Sequence, residues 1–375
     1  MAGIYIHIPF CRQACYYCDF HFSTQQKYRS EMIHALQGEM AMRSEELKEK
    51  TMQTVYLGGG TPSILASGEL ASVMNSVRYH WQVSPDAEIT LEVNPEDVTP
   101  DSLKTWRQAG INRLSMGVQS FRDEDLRMMN RSHSTASALA SLEMARDAGF
   151  ADVNMDLIYG IPGLDDVAWE ANIEQFIGLD LPHLSAYSLT IEPKTVFHHR
   201  VHTGAMQLPD EEKAIRQYML LMNRMESAGY EAYEISNFAR SGKMARHNTG
   251  YWQGMEYLGI GPSAHSFING VRSWNVSNNA SYIKSIRDGQ RPSTEEILSE
   301  SDRYNEYVMT GLRTVWGCEV DEIKNKFGSM YSEFFQEELK NINPEYYANV
   351  QGHVSLTLAG KCFADRIASQ LFWVN

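Results

Sequence analysis

Cys11-Arg12-Gln13-Ala14-Cys15-Tyr16-Tyr17-Cys18 lies almost at the start of the chain. Three cysteines stand at C-x3-C-x2-C spacing, with an aromatic residue before the last. Thiolates are the usual protein ligands of iron–sulfur clusters, so Cys11, Cys15 and Cys18 can hold three irons of a [4Fe–4S] cube. The fourth iron then stays open to an outside ligand. The spacing does not match the paired C-x2-C units of structural zinc. Three of the five cysteines of the chain fall within these eight residues, which argues against ordinary scattered thiols. Cys318 and Cys362 stand alone and read as plain buried or half-buried thiols.

Working outward, the first half alternates short β-type runs with helical runs, the pattern of a parallel α/β sheet or barrel. Strands are expected at 4–8, 54–57, 88–93, 113–118, 152–158 and 183–189. Helices are expected at 28–48, 67–79, 100–109, 136–148 and 168–179. This predicts a partial (β/α)6 barrel, with functional groups at the C-terminal strand ends. Beyond it come a helix (211–227), a strand (230–235) and a loop-rich stretch holding Gly250, Gly254, Gly259 and Gly261. The last ~90 residues change character. Helices at 299–315 and 319–341, a strand-like piece at 348–356 and a helix at 357–369 read as a small module resembling a winged helix. We place the barrel domain, with its extension, at 1–285 and the C-terminal module at 286–375.

The chain has 375 residues, room for one large barrel and a smaller domain. Its net charge of -14 argues against nonspecific nucleic-acid binding and a basic membrane-docking face. Residues 1–10 are too short for a secretory signal and lack a basic start, and no apolar run approaches a membrane span. Few cysteines, mostly clustered, suit a reducing cytoplasm.

Several polar residues sit where barrel strands end. Gly58-Gly59-Gly60-Thr61-Pro62 follows a strand directly, and its glycines let backbone approach a ligand and present N–H groups; a sharp turn alone is the other reading. Thr90, Glu92 and Asn94 share one strand face; if that face lines the barrel, Glu92 is a carboxylate facing inward near the rim. A buried carboxylate needs a polar partner. Asp156 repeats the situation, Gln119 ends a strand, and Arg131 can grip a carboxylate with two N–H groups. Each also suits an internal salt bridge.

The cysteine loop resembles the motif of the radical SAM superfamily. There S-adenosylmethionine (SAM) chelates the open iron, and an electron from the cluster cleaves the sulfonium. The resemblance is closer to the coproporphyrinogen III oxidase-like branch. It spans nearly the whole chain and includes Asn154 to Gly163, Gly259-Ile260-Gly261 and the C-terminal module. It implies SAM contacts at Gly59, Gly60, Thr61, Glu92, Gln119, Arg131 and Asp156, and an aromatic residue beside the cluster at Tyr5.

That branch holds two functions. The dehydrogenase, which decarboxylates coproporphyrinogen III, has a further cysteine two positions after the third; position 20 here is Phe20. It also carries a long segment ahead of its cluster, whereas ten residues precede Cys11. On both counts the chain is similar to the haem-chaperone (HemW) family, which binds haem, delivers it to respiratory proteins and is not expected to oxidise coproporphyrinogen. His247-Asn248-Thr249-Gly250-Tyr251-Trp252 matches the H-N-x-x-Y-W motif of that family. Histidine is a good axial ligand for haem iron, and Tyr251 and Trp252 offer flat apolar faces; a loop histidine bonded to backbone, beside two core aromatics, fits the same residues. His265 is a second candidate. The resemblance also implies a homodimer promoted by the cluster, and a client at the membrane surface. Met219, Met222 and Met225 read as core, and His198, His199 and His202 as a solvated loop. A dehydrogenase, or a radical SAM enzyme acting on another substrate, is the alternative.

Overall fold

Strands β1 (Ala2–Ile8), β2 (Thr51–Gly59), β3 (Gln82–Val93), β4 (Arg113–Gln119), β5 (Asp152–Tyr159) and β6 (His183–Ser188) pair in sequence order, all parallel. They belong to a computed structural model that describes residues 2–208 and 210–374. Helices Arg29–Met42, Ser67–His80, Pro100–Gln108, Thr135–Asp147 and Asp166–Gly178 connect them. Every residue of β4 is buried, as expected where helices cover the outer face of a parallel sheet. The helices begin where capping side chains dictate: Thr99, Ser134 and Asp165 accept from the backbone N–H three residues on.

The sheet does not stop at six strands. Strand β7 (Glu231–Ala232) and β8 (Asn237–Ala239) extend it beside β6. Strand β9 (Glu256–Ile260) pairs parallel to β1, and β10 (His265–Ile268), β11 (Val271–Asn275) and β12 (Ser293–Ile297) continue antiparallel. The order is β12-β11-β10-β9-β1-β2-β3-β4-β5-β6-β8-β7, an open barrel wall. Here the structure departs from the expected loop-rich stretch. Strands β8 to β11, a helix (Arg246–Trp252) and the start of another (Asn279–Arg287) occupy it. Its glycines look like loop punctuation, but Gly259 lies inside β9, where a Cβ would sit 1.9 Å from the His265 carbonyl oxygen. Close approach of a neighbouring strand, not a turn, demands glycine there.

A buried ionic knot fixes this extension. Glu39, fully buried, accepts from Arg43, Asn275, the Gly261 N–H and Tyr282. Arg43 also donates to the Gly259 carbonyl and to Ser266. Helix Arg29–Met42 is thereby tied to β9, β10 and β11.

The large sheet takes in β12, past residue 285. A second apolar core contains Tyr304, Val308, Leu312, Phe335, Val354 and Leu371. It lies among helices Glu300–Leu312, Val320–Phe327, Ser329–Leu339 and Ala364–Gln370 and a sheet of β13 (Cys318–Glu319), β14 (Tyr347–Val350) and β15 (His353–Leu356). The helix expected over 319–341 is two helices, parted at Gly328 with φ 93°. The piece at 348–356 is a hairpin turning at Gln351-Gly352, both at positive φ. The terminal helix breaks around Cys362-Phe363. The strand expected at 230–235 ends at Ala232; the Ile235 N–H instead reaches the Arg313 carbonyl, and the Val315 N–H reaches Tyr233. His198, His199 and His202 lie on a helix, Val196–His202, rather than a loop, because Phe197 is buried against Tyr16. Of the methionine stripe, Met225 is fully buried, and Met222 packs against the main core.

Candidate functional site

The cysteine loop leaves the C-terminal end of β1 and is closed by the Cys11 N–H on the Ser23 carbonyl and the Tyr16 N–H on the Met129 carbonyl. Cys11, Cys15 and Cys18 are half-buried and line one cavity of about 910 Å³ at the C-terminal ends of the strands. The Thr61 hydroxyl donates to Cys11 Sγ at 3.3 Å, and Arg131 Nη1 to Cys15 Sγ at 3.4 Å. Burial pushes the Cys11 thiol up to about 11 and the Cys18 thiol up to about 12.

Among the described residues no group of His, Cys, Asp or Glu is drawn together for a single metal ion. A cubane places each thiolate on its own iron, so its sulfurs stand wider apart. Three sulfurs facing one cavity, with donors aimed at two of them, fit such a cluster.

Gly59 has φ 112°, and a Cβ there would lie 2.5 Å from His7 Nδ1. A Cβ on Gly60 would meet the Phe10 backbone. The turn is therefore welded to the entry of the cysteine loop. Its N–H groups are committed inward: Gly59 to Glu92 Oε2 (3.1 Å), Gly60 to the Ile8 carbonyl (2.9 Å) and Thr61 to the Phe10 carbonyl (2.7 Å). The expectation of free N–H donors fails here, because two parallel chains leave the sheet side by side and pair with each other.

Glu92 accepts from the Tyr56 hydroxyl at 2.8 Å. Burial, with the nearby Asp156 charge, raises its pKa to about 7 despite the Tyr56 and Gly59 hydrogen bonds. Asp156 accepts from Asn154 at 2.7 Å and is raised to about 6, chiefly by burial. Gln119 closes β4 at φ 72°. Arg131 donates to the Gly117 carbonyl (2.6 Å) and Asn94 (2.8 Å), and its buried Nε has no partner. All four side chains line the cavity with Gly59, Gly60 and Thr61.

Tyr5 stands behind this wall. Its hydroxyl donates to His7 Nδ1 (3.2 Å), since His7 Nε2–H is held by the His21 carbonyl, and its ring stacks on Tyr56. His247 also lies behind the wall, 1% exposed. Nδ1 pairs with Thr54 and Nε2 with the Tyr251 hydroxyl, both at 2.7 Å, while the ring stacks on Tyr56. Burial depresses its pKa to about 3, so the ring is neutral. Of His247, Asn248, Tyr251 and Trp252, Asn248 alone is at the cavity wall. Tyr251 packs edge-on to Tyr257, and Trp252 lies under the Arg313 guanidinium. His265 is exposed and stacks on Trp274.

Sequence reasoning missed three parts of the wall. Tyr17 and Tyr56 line the cavity; alternation along β2 was the available signal for Tyr56. Arg113 lines it with a buried, unpartnered Nη2. Arg313 and residues 361–366 of the C-terminal module reach the same cavity, and no local pattern announces that contact.

A model of the radical SAM superfamily matches residues 5–176. A solved structure of coproporphyrinogen III oxidase (HemN) from Escherichia coli, a radical SAM enzyme, superposes with TM-score 0.86 over 99% of this chain and 90% of that one, at 24% identity. Open barrel, cysteine loop and C-terminal module together make this a radical SAM fold. The chain is 35% identical to the heme chaperone HemW of Bacillus subtilis, over 98% of both chains. It is 38% identical to HemW of Mycobacterium tuberculosis, over 98% of this chain and 94% of the relative. It belongs to the HemW heme chaperone family.

Proposed function

We propose that this protein binds haem as cargo, carries a [4Fe–4S] cluster with SAM, and hands haem to respiratory proteins from the cytoplasm. The supporting observation is similarity to proteins named heme chaperones along almost the entire chain. Phe20 supports it further: 70% exposed at the cavity mouth, it presents an apolar ring where the dehydrogenase has a cysteine. No helix of the described residues is long and apolar enough to cross a membrane.

A [4Fe–4S] cluster with SAM, when bound, would supply one-electron reduction of the sulfonium. Cys11, Cys15 and Cys18 hold it, and Arg131 and Thr61 soften the negative charge on two sulfurs. Glu92 and Asp156 would accept hydrogen bonds from SAM, whose cation would favour their ionised forms. Gln119 and Arg131 would orient its polar end, and Gly59 and Gly60 line the same cavity. Tyr5 buttresses Tyr56 from behind.

The test is an anaerobic assay of the reconstituted protein with SAM, reductant and coproporphyrinogen III, run beside haem titration and transfer to an apocytochrome. The expected result is haem binding and transfer without decarboxylated product. Substrate-dependent protoporphyrinogen and 5'-deoxyadenosine would establish the dehydrogenase instead.

A further inference from the structure

Asn94 follows β3 directly and stands half-buried at the cavity wall, between two side chains that touch sulfurs of the cysteine loop. Arg131 Nη2 donates to Asn94 Oδ1 at 2.8 Å, and Asn94 Nδ2 donates to Thr61 Oγ1 at 3.4 Å. Arg131 Nη1 reaches Cys15 Sγ at 3.4 Å, and the Thr61 hydroxyl reaches Cys11 Sγ at 3.3 Å. One amide therefore joins the side-chain donors of two cysteines.

The direction of each bond follows from the groups themselves. A guanidinium only donates, so the oxygen end of the Asn94 amide faces Arg131. The NH2 end then faces Thr61, whose oxygen has to accept. The single hydroxyl proton of Thr61 is left for Cys11. Asn94 is itself held through its backbone. Its N–H meets Ser63 Oγ at 3.4 Å, Ser63 donates to Asp97 at 2.7 Å, and the Asp97 N–H returns to the Asn94 carbonyl at 3.0 Å. Asp97 also takes Arg12 of the cysteine loop at 2.7 Å. Gly117 leaves room for the pair: a Cβ there would lie 3.3 Å from Arg131 Nη2 and 3.6 Å from Asn94 Oδ1.

Hydrogen bonds to cluster sulfurs stabilise added negative charge and raise the reduction potential. We infer that Asn94 is a positioning residue for the cluster, which holds the potential up by turning the Thr61 hydroxyl toward Cys11 and fixing Arg131 beside Cys15. The inference rests on the reading of Cys11, Cys15 and Cys18 as cluster ligands and adds what tunes that site.

The experiment is potentiometric reduction of the reconstituted full-length chain, followed by EPR, in wild type, Thr61→Val, Asn94→Asp and the double variant. Aspartate keeps an acceptor for Arg131 but has no N–H to offer, so the Thr61 proton turns to the carboxylate and leaves Cys11. The added charge is common to both Asn94→Asp proteins and cancels between them. In the wild-type background Thr61→Val should lower the reduction constant roughly tenfold, about 59 mV for a one-electron couple. In the Asn94→Asp background the same substitution should leave the potential nearly unchanged. Asn94→Ala, which frees the Thr61 hydroxyl to rotate, should show the same reduced response. An equal shift in all backgrounds, or none in wild type, overturns the inference. Visible absorption and iron content report cluster loading. If Asn94→Asp and Asn94→Ala melt like wild type yet take up no cluster, Asn94 serves assembly and the inference falls. A wild-type chain that takes up no cluster overturns the cluster reading itself, before any potential is measured.

Discussion

Gly59 and Glu92 show how single residues set the site. Gly59→Ala forces a side chain into φ 112° and against the His7 ring. Left-handed strain of ~1–3 kcal/mol plus the clash should lower the melting temperature and the iron content together; a variant with wild-type melting and iron would show that the turn tolerates a Cβ. Glu92 and Asp156 carry folded-state pKa values of about 7 and about 6, above the ordinary 4.5 and 3.8. The native state then binds more protons than the unfolded chain between those values, so stability falls as pH rises from about 4 to about 7. His7 and His247, depressed to about 4 and about 3, act in the opposite sense, adding stability as pH rises toward 6.5. Comparison with Glu92→Gln isolates the carboxylate. Urea midpoints of the metal-free chain at pH 5 and pH 8 should show a smaller acid-side advantage in Glu92→Gln than in wild type. Cys15→Ser should abolish the visible cluster absorption; full absorption would refute the cluster assignment.

At the scale of elements, the Glu39 knot decides whether β9, β10 and β11 stay on the barrel. Glu39→Ala leaves Arg43 its pair with Glu46 but removes the buried acceptor shared by Arg43, Asn275, Tyr282 and the Gly261 N–H, and breaking such a buried pair costs ~3–5 kcal/mol. The expected outcome is a large loss of thermal stability, with hydrogen exchange rising first in β9–β11. Unchanged protection there would mean that strand pairing alone holds the extension. This element was hard to read beforehand. The glycines of 250–261 carry the marks of a loop, and a β-run of five residues with glycine inside has no alternation to betray it. The main strands were legible because parallel strands buried on both faces read as apolar runs between capped helices.

For the whole molecule, barrel and C-terminal module share one cavity. Contacts of 233–235 with 313–315, and of Lys361 with Ala232 129 positions away, bring distant parts of the chain to one roof. Removing residues 299–375 should leave cluster absorption largely intact while reducing haem affinity; undiminished affinity would locate the cargo elsewhere.

What the sequence determined by itself is local chemistry and its period. The three-cysteine spacing, the glycine turn after a strand and six strand–helix repeats predict a cluster loop on an open barrel, because thiolate spacing and side-chain periodicity are written in neighbouring residues. Only the tertiary structure decided which donors are free. His247 lies in a motif that suggests a ligand, yet Thr54 and Tyr251 hold both its nitrogens. Asn94 belongs to no cluster motif, yet folding sets it between Thr61 and Arg131. Availability of a polar atom depends on what packs against it, and its partners come from distant parts of the chain.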